Sequence, residues 1–371
     1  MATFAERIKE IEDEIRKTKI NKATETHVGR LKAKIARLKR EQQDRIFSSS
    51  TSGGPGYDVK RSGDSSVAFI GLPSVGKSTL MNQLIGQELS AIAAYEFTTL
   101  EAIPGIMNHQ GANIQVIDLP GIISGASNGK GRGKRVLSVA RSADLLLVVL
   151  DVFDTVRHLE IILNELFYVG IRLNQSKPDI VITKTMRGGI AISTLKILTK
   201  ITEKTIKNIL QEYRLINADI TIRNDITVEQ LIDALEANRV YIPAIVLINK
   251  IDLADQEKLE NLSKKFPEAT LVSAESGYFI DELKDLIFNT LNLIKIFLRP
   301  QGEETDFEEP LIVREGCTVG EICDKLHRKF REEFKFARVW GLSARHSGQK
   351  VSLRHELAND DVLTIVRSTR G

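Results

Sequence analysis

A chain of 371 residues is too long for one core and implies roughly two to four domains, and its 42% hydrophobic content supplies them with interiors. Its net charge of +3, from 52 basic and 49 acidic residues, says nothing of polyanion binding until the distribution is read along the chain. Two cysteines, Cys317 and Cys323, exclude a disulfide framework and a C-x-x-C metal or redox motif, while a charged first segment and the lack of any run of about 18 apolar residues argue against an export signal or membrane span. A cytoplasmic protein with no membrane partner is expected.

Residues 1 to 46 carry an apolar stripe at helical spacing, Ile8, Ile11 and Ile15 and then Leu31, Ile35 and Leu38, interrupted at Asn21 to Thr26. Two helices in a hairpin are expected. The second, "GRLKAKIARLKREQQDR", is the most basic element of the chain, with Arg30, Lys32, Lys34, Arg37, Lys39, Arg40 and Arg45 against Glu41 and Asp44. "SSSTSGGPG", residues 48 to 56, reads as a flexible joint. Beyond it, "SSVAFIG", "IQVIDL", "DLLLVVLDV", "AIVLINK" and "ATLVSA" are near-continuous apolar runs that fit a parallel sheet covered on both faces, the signature of an α/β fold. Residues 176 to 240 break that rhythm. After residue 293, "PLIVREGCTVGEICDKLHRKF", "ARVWG" and "DDVLTIVRS" read as strand, helix and further strands of a small mixed domain.

The chemistry is concentrated at the strand ends. "GLPSVGKST" matches G-x-x-x-x-G-K-[ST] between a strand and a helix. Its residues Gly71, Leu72, Pro73, Ser74, Val75, Gly76, Lys77, Ser78 and Thr79 would wrap backbone N–H groups around a β-phosphate at a helix N-terminus. Lys77 then faces the β- and γ-oxygens, and Ser78 offers a hydroxyl to Mg²⁺. Asp118, in D-x-x-G, is placed to hold Mg²⁺ through water, Gly121 to give its N–H to the γ-phosphate, and Thr99, favoured over its neighbour Thr98, to complete the metal shell. "NKID" places Asp252 to accept from guanine N1–H and the exocyclic amine, Asn249 to bond base and phosphate loop, and Lys250 to lay its stem along the ring. In "SAE", Ser273, Ala274 and Glu275, the Ala274 N–H is the expected donor to guanine O6.

These elements, in this order, make a GTPase domain resembling the translation-factor-related P-loop GTPases, and "GLPSVGKSTLMNQL", "YEFTTLEAIPG", "DLPGIISGASNGKGRG", "GIRLNQ" and "NRVYIPAIVLINKID" resemble the developmentally regulated GTP-binding proteins of the Obg-related class, of archaeal or eukaryotic type. The resemblance covers nearly the whole chain. It implies a Ras-like core over 64–175 and 241–292, an N-terminal basic helical hairpin and linker over 1–63, an inserted α/β lobe over 176–240 and a TGS domain of β-grasp fold over 293–371, the last carried by "REGCTVGEICDKLH". It also implies a slow, Mg²⁺-dependent GTPase acting as a nucleotide switch on ribosomes or structured RNA in translation, and, in eukaryotes, a dedicated protein partner. The alternative is an RNA- or ribosome-binding module whose GTP site is mainly structural.

Ile122 stands where many GTPases orient water with a glutamine, as the resemblance leads one to expect. The water must then be oriented by switch backbone, by a partner's side chain, or by a monovalent cation such as K⁺. Ser74 stands where related GTPases often have an asparagine ligand for it, and Arg132 and Arg135 read either as phosphate-reaching groups or as a solvated face. Basic residues at both ends, including Lys325, Arg328, Lys329, Arg331, Arg338, Arg345, Lys350 and Arg354, point to RNA, and nothing specifies DNA. Aromatic residues, at 6%, argue against a single-strand stacking platform.

Overall fold

The apolar runs pair as their burial requires. In a computed structural model, which describes residues 4–19, 21, 24–49, 62–86, 103–119 and 139–368, strands β1 (Ser65–Ile70), β3 (Ala112–Asp118), β4 (Leu145–Asp151), β10 (Ala244–Asn249) and β11 (Thr270–Leu271) are parallel neighbours in the order β11-β10-β4-β1-β3. Val67 to Ile70 and Leu145 to Leu150 are wholly buried, so both faces of the sheet are covered and no alternation of polar residues survives. The edge strand β2 (Ile103–His109) is antiparallel to β3 and escapes sequence reading, because Pro104 and Gly105 are strand-poor residues tolerated at an edge. A Cβ on Gly105 would lie 2.2 Å from Ile85 Cδ1 and 3.1 Å from Met81 Cε, so those side-chain ends would have to shift to admit a larger residue. Gln110 and Gly111, at φ 48° and 82°, turn the β2–β3 hairpin with both central residues in the left-handed region.

The chain divides into two compact units. The first joins the described residues of 1–56 to Gly170–Tyr241; the second holds the rest. In the second, the carboxyl ends of β1, β3 and β10 lie along one sheet, the place where open α/β sheets bind ligands. Its C-terminal portion is a five-stranded sheet, β13-β12-β16-β14-β15, built of β12 (Leu293–Leu298), β13 (Leu311–Arg314), β14 (Phe334–Trp340), β15 (Gln349–Val351) and β16 (Asp361–Arg367). The helix Val319–Leu326 covers it, started by a capping box in which Thr318 and Glu321 satisfy each other's N–H groups. This is the β-grasp arrangement that the sequence implies.

In the first unit, α1 (Phe4–Lys17) and α2 (Glu25–Ser49) form the hairpin, with Ile8, Ile11, Leu31 and Leu38 buried between them. The lobe has a three-stranded sheet, β6 (Ile180–Lys184), β8 (Ala218–Ile222) and β7 (Ile190–Thr194), under helices Glu203–Glu212 and Val228–Glu236 that begin at the caps Thr202 and Thr227. Ala33 of α2, fully buried, lies in that lobe's own core with Ile206, Ile209 and Leu231. Its cations follow it inward: Arg37 and Arg30 pair with Glu212 at 3.3 and 3.4 Å, Arg40 with Glu236 at 3.7 Å, Lys39 with Glu12 at 3.4 Å, and Lys32 with Glu229. The basic helix read from the sequence as an RNA-facing element therefore spends most of its charge inside its own unit. Among the described residues, no helix is long and apolar enough to cross a membrane.

One polar pair fixes the lobe's geometry. Arg172 reaches Asp233 through two bonds of 2.7 Å with both side chains 4% exposed, and Arg239 adds a third at 3.0 Å. Removing one partner strands a buried charge, so Asp233→Ala is expected to destabilise this unit by about 3–5 kcal/mol. Urea unfolding followed by circular dichroism, with Arg172→Met/Asp233→Leu recovering much of the loss, is the measurement.

Candidate nucleotide site

Glycine at 71 and 76 is a steric demand of the loop that follows β1. A Cβ on Gly71 would meet the Val149 carbonyl at 2.6 Å, and one on Gly76, at φ 90°, would meet Asn249 Nδ2 at 2.4 Å. Gly76 caps α3 (Lys77–Ile85) with no side chain, which leaves the first N–H groups of the helix to a ligand. Lys77 is buried to 8% exposure and donates to the carbonyls of Gly71 (3.3 Å) and Leu72 (2.9 Å). Burial holds its pKa below the usual lysine range, against the opposing pull of Asp118.

Next to it, Ser78 Oγ donates to Asp118 Oδ2 at 2.5 Å, and Asp118 Oδ1 is buried with no hydrogen-bond partner among the described residues. A hydroxyl beside an orphaned carboxylate oxygen is a hard-oxygen pair of the kind that suits Mg²⁺, which prefers one or two protein oxygens with phosphates and water completing its shell. No cluster of three or more His, Cys, Asp or Glu that could hold a metal occurs among the described residues.

The other half of the site closes onto the first. Asn249, 1% exposed at the end of β10, donates from Nδ2 to the Val75 carbonyl (2.9 Å) and accepts the Ala274 N–H on Oδ1 (3.0 Å). Lys250, at φ 67°, sends its ammonium to the Ser74 carbonyl (2.7 Å) and Asp151 Oδ2 (2.8 Å). Burial raises the Asp151 carboxyl, but Lys250 and the Phe153 N–H outweigh it and hold the group below the usual carboxylate range. Asp252 is exposed, and its Oδ1 accepts from the wholly buried Ser273 hydroxyl, which also accepts the Ser276 N–H at 3.1 Å. A carboxylate steadied on one oxygen presents the other to a base edge.

Gly71 through Thr79, Asp118, Asn249, Lys250, Asp252 and Ser273 through Glu275 all lie at the carboxyl ends of β1, β3, β10 and β11. The Ala274 N–H, assigned from the sequence to the base, is occupied here by Asn249. Sequence reading missed Asp151, whose only signal is a carboxylate closing the apolar run "LLLVVLD". Thr98, Thr99, Pro120, Gly121, Ile122, Arg132 and Arg135 lie outside the described residues.

A phosphate loop on a parallel sheet, a buried asparagine joining it to a base-reading loop, and a β-grasp sheet after it define a P-loop GTPase with a C-terminal TGS domain. Family models match in the same order: the 50S ribosome-binding GTPase over residues 66–184, the C-terminal region of that domain over 187–293, and the TGS domain over 294–367. The chain is 52% identical over 365 residues to an uncharacterized GTP-binding protein of Methanocaldococcus jannaschii, covering 97% of this chain and 92% of that protein. It is 46% identical over 370 residues to ribosome-interacting GTPase 1 of Saccharomyces cerevisiae (99% and 100% covered) and 45% over 362 residues to the developmentally-regulated GTP-binding protein 2 homolog of Dictyostelium discoideum (98% and 99%). The chain belongs to the family of developmentally regulated GTP-binding proteins.

Lys77 gives the site a pH signature. Because its folded-state pKa lies below the unfolded value of ~10.4, the unfolded chain holds more protons between the two, and stability of the nucleotide-free protein rises with pH through that window. Lys77→Met removes this contribution. Unfolding midpoints of parent and variant, compared across the alkaline range, are expected to diverge in the parent's favour as pH rises.

Proposed function

We propose that the chain binds GTP and hydrolyses it to GDP and phosphate, and that the nucleotide state switches its association with ribosomes or structured RNA. The observation that carries this reading is Asn249, which holds the phosphate loop and the base-reading loop to one frame through two buried hydrogen bonds. With a nucleotide bound, the Lys77 ammonium transfers from the Gly71 and Leu72 carbonyls to β- and γ-phosphate oxygens, where charge develops as the bond breaks. Ser78 and Asp118, with Thr99 from the sequence, would hold Mg²⁺, which neutralises phosphate charge when bound. Asp252 accepts from guanine N1–H and the exocyclic amine, a pair that adenine lacks.

Ile122 offers no hydrogen bond to the attacking water. In this reading the intrinsic rate is slow, and the missing positioning comes from K⁺ beside Ser74, whose exposed hydroxyl has no partner among the described residues, or from a group of the ribosome. The names of the yeast relative, a ribosome-interacting GTPase, and of the matching family, a ribosome-binding GTPase, support the partner class.

Two measurements test the proposal. Asp252→Asn places a donor amide against the guanine amine and is expected to weaken GTP binding by about 1–3 kcal/mol while admitting xanthosine nucleotides; unchanged GTP affinity would count against the guanine reading. Single-turnover hydrolysis is expected to quicken with ribosomes and to be faster in potassium than in sodium chloride at equal ionic strength, and to collapse in Lys77→Ala. A rate indifferent to ribosomes favours a structural GTP site instead.

A further inference from the structure

Along the strands of the β-grasp sheet, residues alternate between faces. Ile296, Ala337, Val339, Val351 and Leu363 point into the core under the helix Val319–Leu326. Phe336, Arg338 and Trp340 of β14, Val362, Thr364 and Val366 of β16, Phe297 of β12 and Lys350 of β15 therefore share the opposite face.

Strand register sets these in rows. Phe297 stands opposite Val362 and Val362 opposite Trp340; Thr364 stands opposite Arg338 and Arg338 opposite Lys350; Val366 stands opposite Phe336. A cationic row thus lies between two rows that carry aromatic rings. The Arg299 guanidinium sits 5.3 Å from the Trp340 ring and the Lys350 ammonium 4.7 Å from the Phe336 ring, while Phe307 stacks obliquely on Phe297 at 5.1 Å. Arg299, Arg338 and Lys350 are exposed, and none has a carboxylate partner among the described residues. The segment that carries Phe307 also holds the exposed Glu303, Glu304, Asp306, Glu308 and Glu309, which gather negative charge beside the Phe297 end of the face.

We infer that this face binds unpaired RNA, with bases replacing the Arg299 and Lys350 cations over the Trp340 and Phe336 rings and those cations turning, with Arg338, to the phosphates. The inference rests on the RNA reading of the partner above and names where and in what form the RNA is held. Charge sign selects a polyanion, and rings selected by a flat sheet favour single-stranded bases, since a duplex keeps its bases stacked on one another. Phe336 and Trp340, four residues apart, are separated by about 13 Å along the strand, so two bases stack independently with the Arg338 guanidinium between them. The acidic end directs the strand towards β15.

Trp340 is the chain's only tryptophan, so its emission reports this face directly. The full-length protein is titrated with a short single-stranded oligoribonucleotide and with the same sequence annealed as a duplex, by Trp340 fluorescence and by anisotropy of the labelled RNA. The single strand is expected to quench Trp340 and to bind more tightly than the duplex. Phe336→Leu is expected to weaken single-strand binding about tenfold with an unchanged salt slope, whereas Arg338→Ala/Lys350→Ala lowers the slope of log affinity against log salt by about 1.4, the value for two lost phosphate contacts. Neither variant should alter GTP affinity, which also reports that the protein is folded. Absence of quenching, equal binding of duplex and single strand, or a Phe336→Leu variant that binds as the parent does would each overturn the assignment. Co-sedimentation with ribosomes separates the two levels: if it persists in these variants, only the face is wrong, and if the parent lacks it too, the RNA reading of the partner falls as well.

Discussion

The side-chain amide of Asn249 is the constraint on which the nucleotide site depends. It is 1% exposed, it spans from the Val75 carbonyl to the Ala274 N–H, and the space it occupies exists because position 76 has no Cβ. A buried amide satisfied on both its donor and its acceptor is fixed in orientation, and leaving either end unpaired costs about 1–3 kcal/mol. Two loops more than 170 residues apart in sequence thereby share one geometry. Gly76 and Asn249 therefore form a unit with the Ala274 backbone N–H: a side chain at 76 would take the space of the amide, and loss of the amide would leave the Val75 carbonyl and the Ala274 N–H without it.

The site was legible in the sequence to the extent that its chemistry dictates spacing. Glycines at 71 and 76 with Lys77 and Ser78 after a strand admit few other readings, because backbone must approach phosphate there and a helix must start there. The parallel sheet was legible because burial on both faces erases alternation and leaves runs such as "LLLVVL". Strand β2 was not, since Pro104 and Gly105 argue locally against a strand, and only the packing of Ile85 and an edge position explain them. Asp151 was not, because one carboxylate at a strand end has no pattern until Lys250 is seen beside it. Ala274 was read as a base donor from its place in "SAE", while its N–H is held by an asparagine that spacing alone does not bring near.

Charge was the least legible property, and for a physical reason: composition counts cations without saying which are neutralised. Helix α2 has the densest run of lysine and arginine, yet Arg30, Lys32, Arg37, Lys39 and Arg40 face Glu212, Glu229, Glu12 and Glu236. Lys39 joins the two helices of the hairpin, and the other four attach the hairpin to the lobe, alongside Ala33 in the lobe's core. The β-grasp sheet shows the converse. Its cations are few and scattered in sequence, but strand pairing collects Arg338 and Lys350 on one face with Phe336, Phe297 and Trp340. A low aromatic fraction over the whole chain therefore says little about a single face, because register decides how many rings are neighbours.

Two residues at the site adopt backbone that side chains disfavour. Ser74, at φ 64°, and Lys250, at φ 67°, both lie in the left-handed region, where a residue other than glycine costs on the order of 1–2 kcal/mol. They are bonded to each other, the Lys250 ammonium donating to the Ser74 carbonyl at 2.7 Å, and the same ammonium is held by Asp151 at 2.8 Å. Left-handed backbone at Lys250 turns the chain from the end of β10 into the short helix Ile251–Leu253 that carries Asp252, and at Ser74 it bends the loop towards Gly76. The strain is thus placed at the two corners where the chain leaves a strand to meet the nucleotide, and one ion pair holds both. Through Lys250, Asp151 supports the conformation of both loops, which gives a physical reason for a carboxylate to close an otherwise apolar strand.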